Sequence, residues 1–478
     1  LEWKPTKRNK FPLYRQIADY LETRISNGEF PPGSRLPSER DLANIWQVNR
    51  STINSAFEEL RTTGLINRTV GQGTIVQGVV EKRLPNWDMY VKEGFYQPNN
   101  PLNQKIYQFI GTNKNIINFA IGELSPDLLP VTLMKSVQNS INLETHLGYE
   151  HVQGNIELRE TIKNHLMEYR NIESDPSSIL VTSGAQQAIQ LIIRCLLKPG
   201  DAVAIENPSY AYSLPIFHSE GLHTHLLPVH ETGIDPDQVL TLYKKHRIKM
   251  IFLNPTFQNP TGRSLDETKR KKILEMCGKF GIPIVEDDPY SIIGYSNSPV
   301  RPLKSEDKEG LVLYVSSLSK LIASGLRIGW IVGPQNVIDR LADAKQQIDF
   351  GLSPFPQMIA ANILKSDHFD DHIANLKKGL KAKRDLIMEA LYKELGDKIS
   401  FSAPNGGIHL WCRLNSDVVL ADSLFKESVK RGVVFAPGST LSAEHNFLRL
   451  TYARVNTEDI SKGIKQLASA FEFIEKKR

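Results

Sequence analysis

Apolar residues recur at Leu13, Ile17, Leu21 and Ile25, directly after Pro12. That four-residue spacing predicts a helix with one buried stripe, opened by the proline and ended at Asn27-Gly28. Pro31-Pro32-Gly33 then forces a turn. Ser38 is placed to cap a second, short helix whose inner face is Leu42, Ile45 and Trp46. Asn49 is placed to cap a third, with Ile53, Phe57 and Leu60 inward and Arg50, Ser51, Thr52, Asn54 and Ser55 on the opposite face. Gly64 stops it. Leu65 to Arg68 and Gly73 to Val76 read as two strands around the turn Val70-Gly71-Gln72-Gly73.

Three helices followed by a hairpin predict a winged helix-turn-helix. Its third helix offers short polar side chains and an arginine at its N-terminus, where base edges and phosphates are reachable. A glycine-rich wing lets backbone approach phosphate closely. The pattern alone also fits a small helical protein-interaction domain. Charge does not decide: residues 1–80 hold 11 Lys and Arg against 8 Asp and Glu, a weak footprint for nucleic acid.

Regularity fades between Gln77 and about Asn115, where prolines interleave with Trp87, Tyr90, Phe95 and Tyr96. From about Asn118 the pattern changes to helical stretches alternating with short apolar runs. Residues 179–182, 202–205, 250–253, 282–285 and 312–315 read as buried strands, so an α/β domain with a mainly parallel sheet is expected. Polar motifs sit just past these strands, where such sheets collect ligands. Thr182-Ser183-Gly184-Ala185-Gln186 suits a phosphate nest at a helix start, or a plain strand-to-helix turn. Tyr210, in Asn207-Pro208-Ser209-Tyr210, suits a ring-covering aromatic or a structural tyrosine. Asn259, in Asn259-Pro260-Thr261-Gly262, suits a donor to a phenolate oxygen, although a turn alone accounts for its Pro and Gly. Glu286-Asp287-Asp288-Pro289-Tyr290 places carboxylates that need a cationic partner if buried, and none if solvated. Ser316-Ser317-Leu318-Ser319-Lys320 offers a lysine that becomes a Schiff-base nucleophile when desolvated, with Arg327 close behind to take phosphate oxygens.

The chain has 478 residues, 40% hydrophobic and 23% charged, with a net charge of +5. That length implies two or three domains. No run approaches the roughly 18 apolar residues that span a bilayer, and the opening residues do not read as a signal peptide. Cys195, Cys277 and Cys412 are far apart and lack metal-site spacing, which fits reduced thiols and a cytoplasmic protein. No metal site is expected.

Two resemblances add to these readings. Pro12-Leu13-Tyr14, the run Gly33-Ser34-Arg35-Leu36-Pro37-Ser38-Glu39-Arg40 and Gly64-Leu65-Ile66 resemble the GntR-type winged helix. That resemblance implies contacts to double-stranded promoter DNA by Arg35, Arg40, Arg50, Ser51, Thr52 and Gly73. The order of the strand-end motifs resembles fold-type I, class I aminotransferases, whose cofactor is pyridoxal 5′-phosphate (PLP). It implies that Lys320 forms the Schiff base, Asp287 pairs with the pyridine nitrogen, and Asn259 and Tyr290 hold the phenolate oxygen. Tyr210 would stack on the ring, and Ala185, Gln186, Ser317 and Arg327 would bind the phosphate. Tyr149 would reach the neighbouring subunit's phosphate, and Arg449 would take an effector's carboxylate. The whole layout is similar to the MocR/GabR branch of GntR-type regulators. The fold expectation is therefore an all-α-rich winged helix-turn-helix plus an α/β PLP-dependent transferase fold with a smaller C-terminal α+β part. Its domains are expected at 1–76, 77–115 (linker) and 116–478. The resemblance implies a domain-swapped, head-to-tail homodimer in which an amine or amino-acid effector forms an external aldimine and alters promoter binding. A genuine aminotransferase carrying an accessory DNA-binding domain is the alternative, since every cofactor residue is present.

Overall fold

The computed structural model describes residues 3–6, 11–69, 73–77, 87, 100–112, 115–138, 148–296 and 300–477. Contacts divide the chain into two units, Leu1–Gly94 and Phe95–Arg478.

In the first unit, α1 (Leu13–Ser26), α2 (Glu39–Trp46) and α3 (Arg50–Thr62) precede β1 (Ile66–Thr69) and β2 (Gly73–Val76). Ile17, Leu21, Leu42, Trp46, Ile53, Phe57 and Leu60 form one core, each at most 2% exposed. Trp3 stacks on Tyr20, and both meet the edge or face of Trp46. Ser38 caps α2 as expected, its hydroxyl accepting from Asp41 N at 3.2 Å. Two expectations need correction. Asn49 stands at the start of α3, but its side chain makes no capping bond. Ile45 points to solvent, because Leu42 and Trp46 already complete the inward face of so short a helix. The hairpin pairs Ile66 with Val76 through Thr69 with Gly73; residues 70–72 of its turn lie outside the described residues. Residues 33–36 run alongside β2, with Leu36 N bonded to Thr74 O and Val76 N to Ser34 O, both at 2.9 Å.

The second unit begins, among its described residues, with helix Pro101–Thr112, whose Ile106 is buried in the main core. The expected connection over 77–115 therefore divides, and its later part packs with the larger unit. β3 (Ile117–Asn118) leads on to seven strands of one sheet: β4 (Ile179–Thr182), β5 (Ala202–Asn207), β6 (His223–Pro228), β7 (Met250–Leu253), β8 (Ile284–Asp287), β9 (Val312–Ser317) and β10 (Gly329–Val332). The spatial order is β4-β10-β9-β8-β7-β5-β6. β10 runs antiparallel to both neighbours, and every other pairing is parallel. β6 and β10 were not among the five expected strands. β6 is a polar edge strand, and β10 opens on a glycine just after Arg327. The expected strand at 282–285 starts two residues later, after Pro283.

Apolar clusters cover both faces of this sheet, which is what a buried parallel sheet requires. A second sheet, β11 (Ile399–Phe401), β12 (His409–Leu414), β14 (Ala436–Pro437) and β15 (Phe447–Thr451), is antiparallel in the order β11-β12-β15-β14. β13 (Val433–Val434) pairs in parallel with β3, so the C-terminal α+β part is stitched to the segment that opens the unit. Among the described residues no helix is long and apolar enough to cross a membrane.

Gly329 sits opposite both Ser317 and Thr182. A Cβ built there would lie 2.8 Å from Gly184 Cα and 2.9 Å from Ser316 O. Both are backbone atoms, so neither can swing away. Gly329→Ala is expected to destabilise the larger unit by about 1–3 kcal/mol, read as a fall in the melting temperature of its calorimetric transition; an unchanged transition would show that the strands can part.

Candidate functional site: a lysine-bearing cleft at the strand ends

Residues from the strand ends meet in one cleft of about 370 Å³. It contains Lys320, Asp287, Asn259, Tyr290, Tyr210, Ala185, Gln186, Ser317, Arg327 and Arg449, so all but one of the expected small-molecule residues converge. Tyr149 is the exception. It is 89% exposed, and its ring centroid lies 6.0 Å from that of Phe350.

The cleft floor is built on Asp288. Its side chain is fully buried, as is that of Arg170, whose Nε lies 3.4 Å from Asp288 Oδ2. Tyr314 donates to the same oxygen at 2.7 Å, and Ser291 donates from both N and Oγ. Ser316 Oγ donates to Asp288 O at 2.6 Å. β8 and β9 are thereby locked where the adjacent residues, Asp287 and Ser317, line the cleft.

Asp287 is treated oppositely. Its Oδ1 is buried and, among the described residues, has no hydrogen-bond partner. Burial, and then the adjacent Asp288 charge, push its carboxyl up to about 7, against the pull of the Lys320 cation. Lys320 sits on the short turn after β9, and its Nζ donates to Gly122 O. Burial lowers its ammonium to about 8, so a useful fraction is neutral amine near pH 7.

The other rim holds Arg449 on β15. Its Nη1 donates to Asn259 Oδ1 at 2.8 Å and its Nη2 to Ala120 O at 2.6 Å, while Nε is buried without a partner. The Arg449 bond orients the Asn259 amide, leaving Nδ2 as the remaining donor. Tyr290 OH lies 3.1 Å from His409 Nε2, and His409 Nδ1 lies 3.0 Å from Thr451 Oγ1. Burial, then the Arg449 cation, hold this imidazole well below its usual range, hence neutral. Gln186 Nε2 donates to Tyr210 OH at 2.7 Å.

The helix Ala185–Leu196 starts at Gly184, whose φ is +80°. Arg327 Nη2 donates to Ser183 O at 2.7 Å and would lie 2.8 Å from any Cβ at Gly184. Glycine is thus needed for the guanidinium to lie against a helix N-terminus, an arrangement suited to phosphate. His409, Arg170, Asn103 and Tyr107 escaped the sequence reading. His409 follows Gly406-Gly407-Ile408, a run that could have marked it. Arg170 carried no local signal, because its partner lies 118 positions away.

In the smaller unit, the expected DNA-facing residues Arg35, Arg40, Arg50 and Ser51 are exposed, and Thr52 is half-buried. Arg50 is tethered through its guanidinium: its Nε lies 3.0 Å from the buried carboxylate of Glu39, while 74% of its side chain stays exposed. Arg68 closes on the other Glu39 oxygen. Gly73 has φ +85°, and an added Cβ would lie 3.3 Å from Arg35 Cδ, so the wing and Arg35 are packed together.

A fold-type I cleft with a desolvated lysine facing an unpaired carboxylate, in a chain that also carries a winged helix, defines a DNA-binding protein with an aminotransferase-like domain. The family model "Aminotransferase class I and II" matches residues 114–467, and "Bacterial regulatory proteins, gntR family" matches 13–76. The chain is 38% identical over 468 residues to the HTH-type transcriptional regulator YdfD of Bacillus subtilis, covering 96% of each. It is 31% identical over 438 residues to the HTH-type transcriptional regulator NorG of Staphylococcus aureus, covering 91% of this chain and 98% of NorG. The kynurenine aminotransferase of Pyrococcus horikoshii, solved in complex with PMP, superposes with a TM-score of 0.73 at 29% identity, covering 83% of this chain and 98% of that one. The chain belongs to the MocR/GabR-type GntR regulators, with a class I/II aminotransferase domain whose cofactor is PLP. The residues present fit that cofactor: the orphaned Asp287 oxygen needs a cation, and the Gly184–Arg327 cradle suits an anion.

Asp287 also sets a pH dependence. Its folded pKa of about 7 exceeds its ordinary 3.8, so its contribution to stability is complete below the unfolded value and is lost as pH rises through about 7. In cofactor-free protein the melting temperature is therefore expected to fall from pH 5 to 8, and Asp287→Asn should flatten part of that fall. An equal slope in the variant would assign it to other groups.

Proposed function

We propose that this protein is a cytoplasmic, homodimeric transcriptional regulator in which a small amine or amino acid, taken up by the PLP-loaded cleft, alters promoter binding by the winged helix. Bound in the cleft, PLP supplies an aldehyde carbon that takes up primary amines. In this reading Asp287 pairs with the pyridine nitrogen, which gives its unsatisfied Oδ1 a partner. Asn259 Nδ2 and Tyr290 OH hold the phenolate oxygen, and Tyr210 covers the ring. Ala185, Gln186, Ser317 and Arg327 take the phosphate. Lys320 gives up or takes a proton at Nζ. Arg449 binds a carboxylate at the effector's far end, using the Nε that has no internal partner. The surface position of Tyr149 supports a role toward a second copy of the chain.

The observation that carries the reading is the presence of Asp287 and Lys320 in one cleft in a chain that also bears a winged helix. The cleft lining adds support. Asn103, Ile106 and Tyr107 come from helix Pro101–Thr112, which lies in sequence between the winged helix and the sheet. An effector touching that helix acts on the segment leading to the DNA-binding unit. Switching further requires that the effector bind two arrangements of the protein unequally.

Lys320→Ala is expected to abolish the visible absorbance of the PLP-loaded protein and its response to amines, measured by spectral titration against a panel of amino acids and amines. A retained band would remove the Schiff-base role. Arg50→Ala is expected to weaken promoter binding by about 1–3 kcal/mol while the visible band persists, read by fluorescence anisotropy on operator DNA. Undiminished affinity would remove α3 from the interface. Fast multiple-turnover transamination would favour an enzyme with an accessory domain.

A further inference from the structure

The large sheet ends in a concave, positively charged edge. β6 is its last strand and carries His223 and His225. His225 stacks on His246, from the end of helix Pro236–His246, with ring centroids 3.9 Å apart. These imidazoles line an open cleft together with Arg247, Lys249 and Asp201. Lys244 and Lys245 flank it on the last helical turn. Lys244, Lys245, Arg247 and Lys249 are all exposed, and among the described residues none is held in an ion pair. The guanidinium of Arg247 lies over the Tyr243 ring, 5.7 Å from its centroid. Asp201, the one carboxylate in the lining, accepts from Lys198 N at 3.1 Å. Burial, followed by the neighbouring His246, His223 and Lys245, keeps His225 below its usual range.

Two structural roles explain part of this patch. Cations favour a helix C-terminus, and charge guards an edge strand. The dipole effect fades within the last turn, however, and does not reach Lys249 or the histidines of β6. Edge protection needs charge but not convergence on a cleft. We propose that this edge is a second, sequence-independent binding surface for the phosphate backbone of duplex DNA. Unpaired, solvated cations are the groups that displace counterions from phosphate. The winged helix in the same chain brings duplex DNA to the protein, so even weak contacts here act at high effective concentration. An anionic membrane would suit the charge as well, but no other feature of the chain recruits one.

The test uses the full-length, PLP-loaded protein, a long duplex of random sequence, and the triple variant Lys244→Gln/Arg247→Gln/Lys249→Gln. Affinity at low salt should fall about tenfold or more, and the slope of log affinity against log salt should decrease in magnitude by about 2–3. Lys244→Arg/Lys249→Arg should keep both values. The visible band and melting temperature report folding. If the triple variant misfolds, Lys249→Gln alone, away from the helix end, should still reduce the slope by about one. Parental affinity and slope in the folded variants would overturn the proposal. So would loss of binding to vesicles rich in phosphatidylserine with DNA binding unchanged, which would assign the patch to a lipid surface.

Discussion

A carboxylate buried as deeply as Asp288 must be neutralised and hydrogen-bonded where it stands, and meeting that demand fixes the floor of the cleft. Arg170 supplies the charge from the end of one helix, Tyr314 and Ser291 supply donors, and Ser316 ties the neighbouring strand to the Asp288 carbonyl. The result is a division of labour between adjacent acids. Asp288 is saturated and structural, whereas Asp287 keeps an unpaired oxygen. Removing Arg170 would leave a buried charge uncompensated, a change that costs about 3–5 kcal/mol in comparable pairs. The same change would disturb Asp287 and Ser317 together, since each ends a strand that the network holds.

The winged helix repeats this logic on a smaller scale. Glu39 is buried at the start of α2 and holds Arg50 on one side and Arg68 on the other. One acid thus engages the guanidinium of an arginine on α3 and that of one on the wing strand, while both side chains remain partly exposed. In both units a buried carboxylate organises residues to which the proposed function gives a ligand.

The helices of the first unit were legible because each has a one-sided apolar stripe and a glycine or proline boundary. The buried parallel strands were legible as continuous apolar runs. β6 and β10 were not, one being polar and at the edge, the other opening on a glycine directly behind the Arg327 motif. The cleft residues on strand ends could be read because local motifs mark them. Arg170 and Tyr107 could not, since each joins the site through tertiary contact alone. The expected cap at Asn49 failed because its residue type licenses a bond that the side chain does not make, and Ile45 was surplus to a face already filled by Leu42 and Trp46.

The reversed direction of β10 has a further result. Because it runs against β9, its beginning, and not its end, lies beside the carboxyl ends of β4 and β9. The chain can therefore leave β9, present Lys320, present Arg327 and re-enter the sheet without leaving that rim. A parallel strand would have required a return journey along the whole sheet. Amine and guanidinium are thus carried on one tethered arc, anchored at both ends by strand register. An insertion or deletion within that arc would alter both at once, so their separation is inherited as a single unit.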